Sequence, residues 1–150
     1  RSRARRLSCS MPGRPTIVID VAHNPHAARV LAATLGTMGY FPETLAVFGM
    51  LADKDIAGVI AAVAARIDRW FVVTLPGTRG ATAAQAAALL AQAGVAPRAI
   101  RMFDDVAAGF AAAREEADEA DRIVVFGSFL TVAAALAAAK PGTAQATRHG

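Results

Sequence analysis

The 150-residue sequence has a single cysteine, few aromatic residues (6%) and no apolar run that could cross a bilayer. Cys9 has no second cysteine to pair with, so no internal disulfide can form and a reducing compartment is expected. The uncharged stretch 126–139 is shorter than the roughly 20 residues that a membrane-spanning helix needs. Leu7 is followed by serine and cysteine, not by the apolar segment of an export signal. These absences predict a soluble, cytoplasmic protein without a membrane partner.

Acidic residues are absent from the start of the chain. Residues 1–14 contain five arginines and no acid, whereas the whole chain has a net charge of +4. The remaining residues therefore sum to −1 and lack the basic face that phosphate-backbone binding requires, so no nucleic-acid partner is expected. We expect a disordered basic leader over 1–13, one domain over 14–140 and a disordered tail over 141–150.

Short β-branched apolar runs alternate with longer helical patterns along the chain. The runs cover 16–20, 45–49, 70–74, 99–102 and 123–126. Their nearly continuous apolar character is typical of strands that are covered on both faces, and Arg101 favours an edge position for the fourth run. The alternation predicts an α/β fold with a Rossmann-like, mostly parallel sheet flanked by helices on both faces.

Capping residues precede the helical patterns. Pro25 suits a first helical position, and Gln85 completes a capping box with the residue three positions earlier. The last helix is expected to run from about 128 to 139. The expected N-caps are Asn24, Asp53, Thr82, Asp104 and Ser128.

Polar residues follow three of the predicted strands, at 20–25, 49–55 and 127–129. Ligands of open parallel sheets gather beyond the carboxyl ends of the strands, so these segments are expected to converge on one pocket. Asp20 is interpreted either as an acceptor for nearby backbone amides or as an acceptor for nucleotide ribose hydroxyls. His23, just before a helix, is either structural, a holder of a substrate carboxylate, or a neutral hydrogen-bond donor.

Lys54 and Ser128 also have two interpretations each. Lys54 is expected in the first turn of a helix, where the helix dipole disfavours a cation. Asp53 and Asp55 could neutralise it, or it could point from the strand edge at an acidic substrate. Ser128 could cap the last helix, bind a ligand carboxylate, or do both.

Several familiar catalytic motifs are absent. The chain has no G-x-x-x-x-G-K-[ST] phosphate loop, no G-x-G-x-x-G after the first strand and no G-x-S-x-G around Ser128. His23 and His26 lack partners at metal-site spacing, so no metal site is expected in this domain.

Four segments together resemble the carboxy-terminal domain of bacterial dihydrofolate synthase/folylpolyglutamate synthases, within the Mur ligase superfamily. The similarity runs from about Arg14 to Ala139, whereas residues 1–11 look unrelated to the family. The segments are 20–28 (DVAHNPHAA), 49–56 (GMLADKDI), 77–82 (GTRGAT) and 127–133 (GSFLTVA).

The resemblance implies an ATP-dependent ligase that joins L-glutamate to dihydropteroate or folates through an acyl phosphate. It implies that Asp20 contacts the nucleotide ribose and that His23, Lys54 and Ser128 form the glutamate pocket. ATP and Mg²⁺ would be held mainly by a missing amino-terminal ATPase domain, which is an expected partner. No catalytic residue is expected within this domain alone, and Arg79, near the family's cleft, is assigned no role.

Two departures from the family limit the expectation. The ATPase domain is missing, so the chain alone is expected to be inactive. The family's Pro-Gly-Arg-Phe stretch is matched only by 12–14, without the phenylalanine, so that arginine's contact with ATP is not carried over to Arg14. The alternatives are a stand-alone Rossmann-like module that binds an acidic metabolite or nucleotide, and a folded remnant without function.

Overall fold

The computed structural model describes residues 7–139, and the expected tail over 141–150 lies outside this range. Six strands alternate with five helices. The strands are β1 (Leu7–Cys9), β2 (Thr16–Asp20), β3 (Thr44–Phe48), β4 (Arg69–Val73), β5 (Ile100–Phe103) and β6 (Arg122–Phe126). The helices are α1 (Pro25–Thr37), α2 (Ile56–Val63), α3 (Ala83–Gln92), α4 (Val106–Glu116) and α5 (Phe129–Ala139).

The strands form one sheet in the order β1-β2-β6-β3-β4-β5. Strands β2 to β6 are parallel to their neighbours, and only β1 is antiparallel, pairing with β2. The predicted α/β fold with a mostly parallel sheet is confirmed. Strand β5 lies at the edge of the sheet, as the exposed Arg101 in its sequence predicted.

Alternate residues of each strand feed two separate cores, because successive side chains point to opposite faces. On one face, Phe48 and Trp70 pack with the apolar sides of α1, α2 and α3. On the other, Val47 and Phe71 pack with α4 and α5. Burial on both faces explains the continuous apolar runs in the sequence. None of the helices in the described range has the length and apolar character that crossing a bilayer requires.

Three helix starts agree with the capping predictions and two differ. Asn24 accepts from Ala27 N, Thr82 forms the capping box with Gln85, and Ser128 Oγ accepts from Thr131 N. The predictions for α2 and α4 were wrong by one or two residues. The caps there are Asp55 and Asp105, whose carboxylates accept from the amides three residues on.

The expectation of a disordered leader over 1–13 is wrong for β1, which pairs in register from Leu7 opposite Ile19 to Cys9 opposite Ile17. The strand satisfies the backbone groups of an edge that β2 would otherwise expose. A turn closed by Arg14 N donating to Met11 O then leads into β2. Residues 1–6 lie outside the described range.

Candidate functional site

Three strand ends lie side by side at the carboxyl-end rim, defined as the edge of the sheet where β2 to β6 finish. Asp20 is in register with Phe126, and Phe126 with Phe48. The segments that follow β2, β6 and β3 therefore leave the sheet at the same level and next to one another. These segments contain the four residues predicted from the sequence, so the structure brings their backbones to one rim.

Asp20 ends β2 with only 8% of its surface exposed. Its Oδ1 accepts from Ala22 N at 2.8 Å, which holds the turn that leads into α1. Burying a carboxylate is costly without such donors, so this contact accounts for part of its stabilisation. The structural interpretation of Asp20 is supported by this geometry, and a ribose contact would have to add to it.

His23 is half-buried, and its Nδ1 lies 3.0 Å from Val21 O. A carbonyl only accepts, so Nδ1 must carry a hydrogen and donate it. In neutral histidine Nε2 would then be an acceptor, and only the imidazolium form can donate to a carboxylate. A neutral His23 thus acts as a donor to Val21 O, whereas holding a ligand carboxylate would require the imidazolium form.

Lys54 lies one residue before the α2 N-cap, and it is exposed. Its expected place in the first helical turn was wrong, because Asp55 and not Asp53 begins the helix. Asp55 Oδ1 accepts from Gly58 N, whereas Asp53 pairs with Arg79 at 3.4 Å. Within residues 7–139 neither carboxylate lies within ion-pair distance of Lys54.

The loop between β4 and α3 is joined by backbone hydrogen bonds to the loop that contains Lys54, and we call this contact the latch. Ala52 N donates to Arg79 O at 2.7 Å, and Ala81 N donates to Met50 O at 2.9 Å. Between them, an antiparallel bridge joins Leu51 to Gly80. A Cβ at Gly80 would lie 2.3 Å from Leu75 O, so only glycine allows this close approach. The latch fixes the backbone that leads to Lys54.

Ser128 is buried at the start of α5, with 5% of its surface exposed. Its Oγ accepts from Thr131 N at 3.2 Å, and the Thr131 hydroxyl donates to Gly49 O at 2.8 Å. The segment after β6 is thereby joined to the segment after β3. Ser128 acts as an N-cap, as predicted, at the rim where a ligand would bind.

The site on the rim is an open surface. Three cavities within residues 7–139 lie elsewhere, and none is lined by Asp20, His23, Lys54 or Ser128. The first, of about 1080 Å³, lies beside Cys9, Gly13 and α4. Beside Ser128, the side chains of Phe129 and Leu130 are 71% and 43% exposed. The single pocket expected from the sequence is thus not among these three cavities.

The described residues offer no resident metal site. No group of three or more His, Cys, Asp or Glu side chains within 7–139 is arranged to hold a metal ion.

Residues 3–129 match the family model described as Mur ligase, glutamate ligase domain. The chain belongs to this family. The match begins at residue 3, so the expectation that residues 1–11 are unrelated to the family was wrong. It includes β1, which pairs with the first of the parallel strands.

Relatives and solved structures agree with this assignment. The Escherichia coli dihydrofolate synthase/folylpolyglutamate synthase is 42% identical over 133 residues, which is 84% of this chain and 30% of the relative. E. coli FolC in complex with DHPP and ADP superposes with a TM-score of 0.78 at 39% identity, covering 88% of this chain and 30% of that one.

A bifunctional folylpolyglutamate synthase/dihydrofolate synthase with Mn, AMPPNP and L-glutamate bound gives a TM-score of 0.77 at 41% identity. That match covers 87% of this chain and 30% of the other. The chain thus spans about 30% of the length of the relatives it matches. It corresponds to the carboxy-terminal domain of these ATP-dependent folate-glutamate ligases.

Sequence reasoning did not single out the residues that hold the site in place. Gly80 and Thr131 lie within the motifs GTRGAT and GSFLTVA, but their partners are distant in sequence. Thr131, for example, contacts a carbonyl 82 residues earlier. The only available signal was the small size of residues at the ends of strands.

Proposed function

We propose that the chain supplies the glutamate-binding surface of an ATP-dependent ligase that joins L-glutamate to dihydropteroate or a folate. The observation that supports this best is the register of β2, β6 and β3. It gathers an acid, a histidine, a lysine and a serine on one rim. The whole reaction belongs to a longer polypeptide or to a complex, of which this domain is about one third.

Glutamate recognition would use complementary charge. The ligand has two carboxylates. Suitable donors are the exposed Lys54 ammonium, which has no ion pair within residues 7–139, and the Ser128 hydroxyl. His23 would add a third donor in its imidazolium form, since its Nδ1 hydrogen is already committed to Val21 O. The ligand's amine would then point away from these anchors, toward the acyl group.

The proposed reaction has two steps. The carboxylate of the pteroate or folate takes the terminal phosphoryl group of ATP, which gives an acyl phosphate and ADP. The glutamate amine then attacks the acyl carbon, the C–N bond forms, phosphate leaves with the electrons of the C–O bond, and the nitrogen loses a proton. Asp20 would orient the nucleotide through a ribose hydroxyl.

The domain's contribution to rate would be positioning. Holding the amine beside the acyl phosphate makes the attack effectively intramolecular, which can supply several kcal/mol of barrier reduction, roughly 7–11 in favourable cases. The latch between Met50 and Ala81 and the contact between Thr131 and Gly49 hold the rim rigid enough for this. Mg²⁺ would neutralise phosphate charge from the remaining part of the ligase.

A hybrid enzyme tests the proposal. The carboxy-terminal third of the E. coli relative is replaced by this chain, and ADP formation is measured with dihydropteroate and L-glutamate. We expect glutamate-dependent turnover in the hybrid and none in the 150-residue chain alone. A folded hybrid that never responds to glutamate would contradict the proposal and favour a stand-alone module that binds another acidic metabolite.

A further inference from the structure

Thr131 is the most deeply buried polar side chain at the carboxyl-end rim. Its relative exposure is 0%, although it lies only one turn into α5. Its hydroxyl donates to Gly49 O at 2.8 Å, a normal hydroxyl hydrogen-bond length. A buried carbonyl that lost this donor would be left unsatisfied, so the contact fixes where the Lys54 segment leaves the sheet.

The same residue sets the hydrogen-bonding state of Ser128. Thr131 N donates to Ser128 Oγ at 3.2 Å, which occupies a lone pair of that oxygen. The two hydroxyl oxygens are 3.4 Å apart, beyond the usual range for a good O–H···O bond. The single hydroxyl hydrogen of Thr131 is already donated to Gly49 O, so Ser128 receives none from it. Ser128 is therefore the donor in the long contact between the two hydroxyls, and Thr131 Oγ1 is the acceptor.

Two glycines make this contact possible. Gly127 has φ of +119°, and a Cβ there would lie 2.3 Å from Gly49 O. A Cβ at Gly49 would lie 3.0 Å from Thr131 Oγ1 and 2.7 Å from Val73 Cγ2. Gly127 requires glycine, because of its positive φ and its approach to the Gly49 backbone, whereas a side chain at Gly49 would press on the side chains of Thr131 and Val73. The approach places the start of α5 directly against the segment that leads to Lys54.

We propose that Thr131 is a positioning residue for glutamate. Its hydroxyl locks the Lys54 segment, through Gly49 O, to the helix end that carries Ser128. This inference depends on the proposed function, since it assigns Thr131 a part in the same site. Thr131 itself, fully buried, would not touch the ligand.

Kinetics of the hybrid enzyme described above test the assignment. Thr131→Val removes the hydroxyl but keeps the shape, and Thr131→Ser keeps the hydroxyl. We expect KM for L-glutamate to rise about tenfold in Thr131→Val, as for the loss of one well-aligned hydrogen bond to a charged ligand, with KM for ATP unchanged. Thr131→Ser should restore KM to within about twofold of the wild-type value.

Thr44→Val is the matched control. Thr44 is also a buried threonine with a bonded hydroxyl, whose Oγ1 accepts from Arg122, but it lies at the opposite end of β3. Thr44→Val should lower the melting temperature of the hybrid enzyme and leave its KM for glutamate unchanged. In a Lys54→Ala background, Thr131→Val should raise KM little further, because the side chain that the contact positions is gone.

The outcomes separate the two proposals. If the wild-type hybrid shows no glutamate-dependent ADP formation, the proposed function fails and the role of Thr131 fails with it. If the wild-type hybrid is active but Thr131→Val and Thr44→Val have the same KM for glutamate, only the positioning role is overturned. Full additivity of Thr131→Val and Lys54→Ala would overturn it as well.

Discussion

The two rims of the sheet differ in what their charged side chains contact. At the amino-end rim, where β2 to β6 begin, Arg69 pairs with Glu43 and Glu116, and the Asp121 carboxylate accepts from two backbone amides. At the carboxyl-end rim, Lys54 is exposed and has no ion pair within the described residues. Arg69 and Asp121 at the first rim bind other charges or the backbone, whereas Lys54 at the second has no such partner within residues 7–139.

Arg122 illustrates the amino-end rim best. Its guanidinium donates to Thr44 Oγ1 at 3.0 Å and to Leu35 O at 2.9 Å, and it lies over the Phe41 ring. Burial lowers its pKa from the ordinary arginine value, as does the nearby Arg66, while Asp68 acts in the opposite direction. A buried cation with these bonds joins β6, β3 and the end of α1.

The largest expected effect is on stability, from Arg122→Met. The substitution leaves the Thr44 hydroxyl without its donor and the Leu35 carbonyl with only the 3.4 Å bond from Met38 N, so we expect the free energy of unfolding to fall by about 3 kcal/mol. Chemical denaturation of the 150-residue chain measures this. In the hybrid enzyme, KM for glutamate should stay within about twofold of the wild-type value. A large rise would show that the amino-end rim also affects glutamate binding.

Lys54→Ala should weaken glutamate binding and leave stability unchanged, the opposite of Arg122→Met. We expect KM for glutamate in the hybrid to rise about 30-fold, from loss of a charge-assisted bond, with unfolding free energy unchanged within about 0.5 kcal/mol. Arg98→Ala, an exposed cation just before β5 at the amino-end rim, is the matched control and should leave KM unchanged. Equal effects of the two substitutions would show that Lys54 acts only through overall charge.

His23 and His26 provide a pair on the same segment. His23→Ala should raise KM for glutamate about tenfold, as for one lost donor, while His26→Ala, at an exposed position, should leave it unchanged. Steady-state kinetics of the two hybrids make the comparison. Loss of affinity in both variants would point to a general disturbance of α1 and not to a contact of His23.

The smallest effect is expected from Arg79→Ala. The Arg79–Asp53 pair is 3.4 Å long with side chains 69% and 60% exposed, so its loss should cost less than about 0.5 kcal/mol. The latch beneath it consists of backbone bonds, which the substitution leaves in place. A rise in KM beyond about threefold would show instead that Arg79 contacts a ligand directly.

Much of the fold was predictable because it depends on local patterns. Apolar runs gave all five parallel strands within one or two residues, and Asn24-Pro25 gave the start of α1. The α2 cap was misplaced because Asp53 and Asp55 are equally good capping residues and only tertiary packing selects between them. Strand β1 was missed because three residues are too few to show a strand pattern in the sequence. They form a strand only by pairing with β2.

The residues of the site could be predicted from the sequence, but the contacts that hold them in place could not. Asp20, His23, Lys54 and Ser128 follow strands, and parallel topology alone places them on one rim. The contact between Thr131 and Gly49 spans 82 residues, and that between Arg122 and Thr44 spans 78. Such contacts depend on which strands become neighbours, and no local sequence pattern indicates the order β2-β6-β3.

An NMR titration of the isotope-labelled 150-residue chain with L-glutamate, up to tens of millimolar, tests the ligand-binding rim most directly. Backbone amide shifts are expected in residues 21–24, 50–55 and 127–131, and the amino-end rim around Asp68 and Arg122 should stay unchanged. Shifts confined to the amino-end rim, or to the cavity beside Cys9 and Gly13, would contradict the assignment of the glutamate surface.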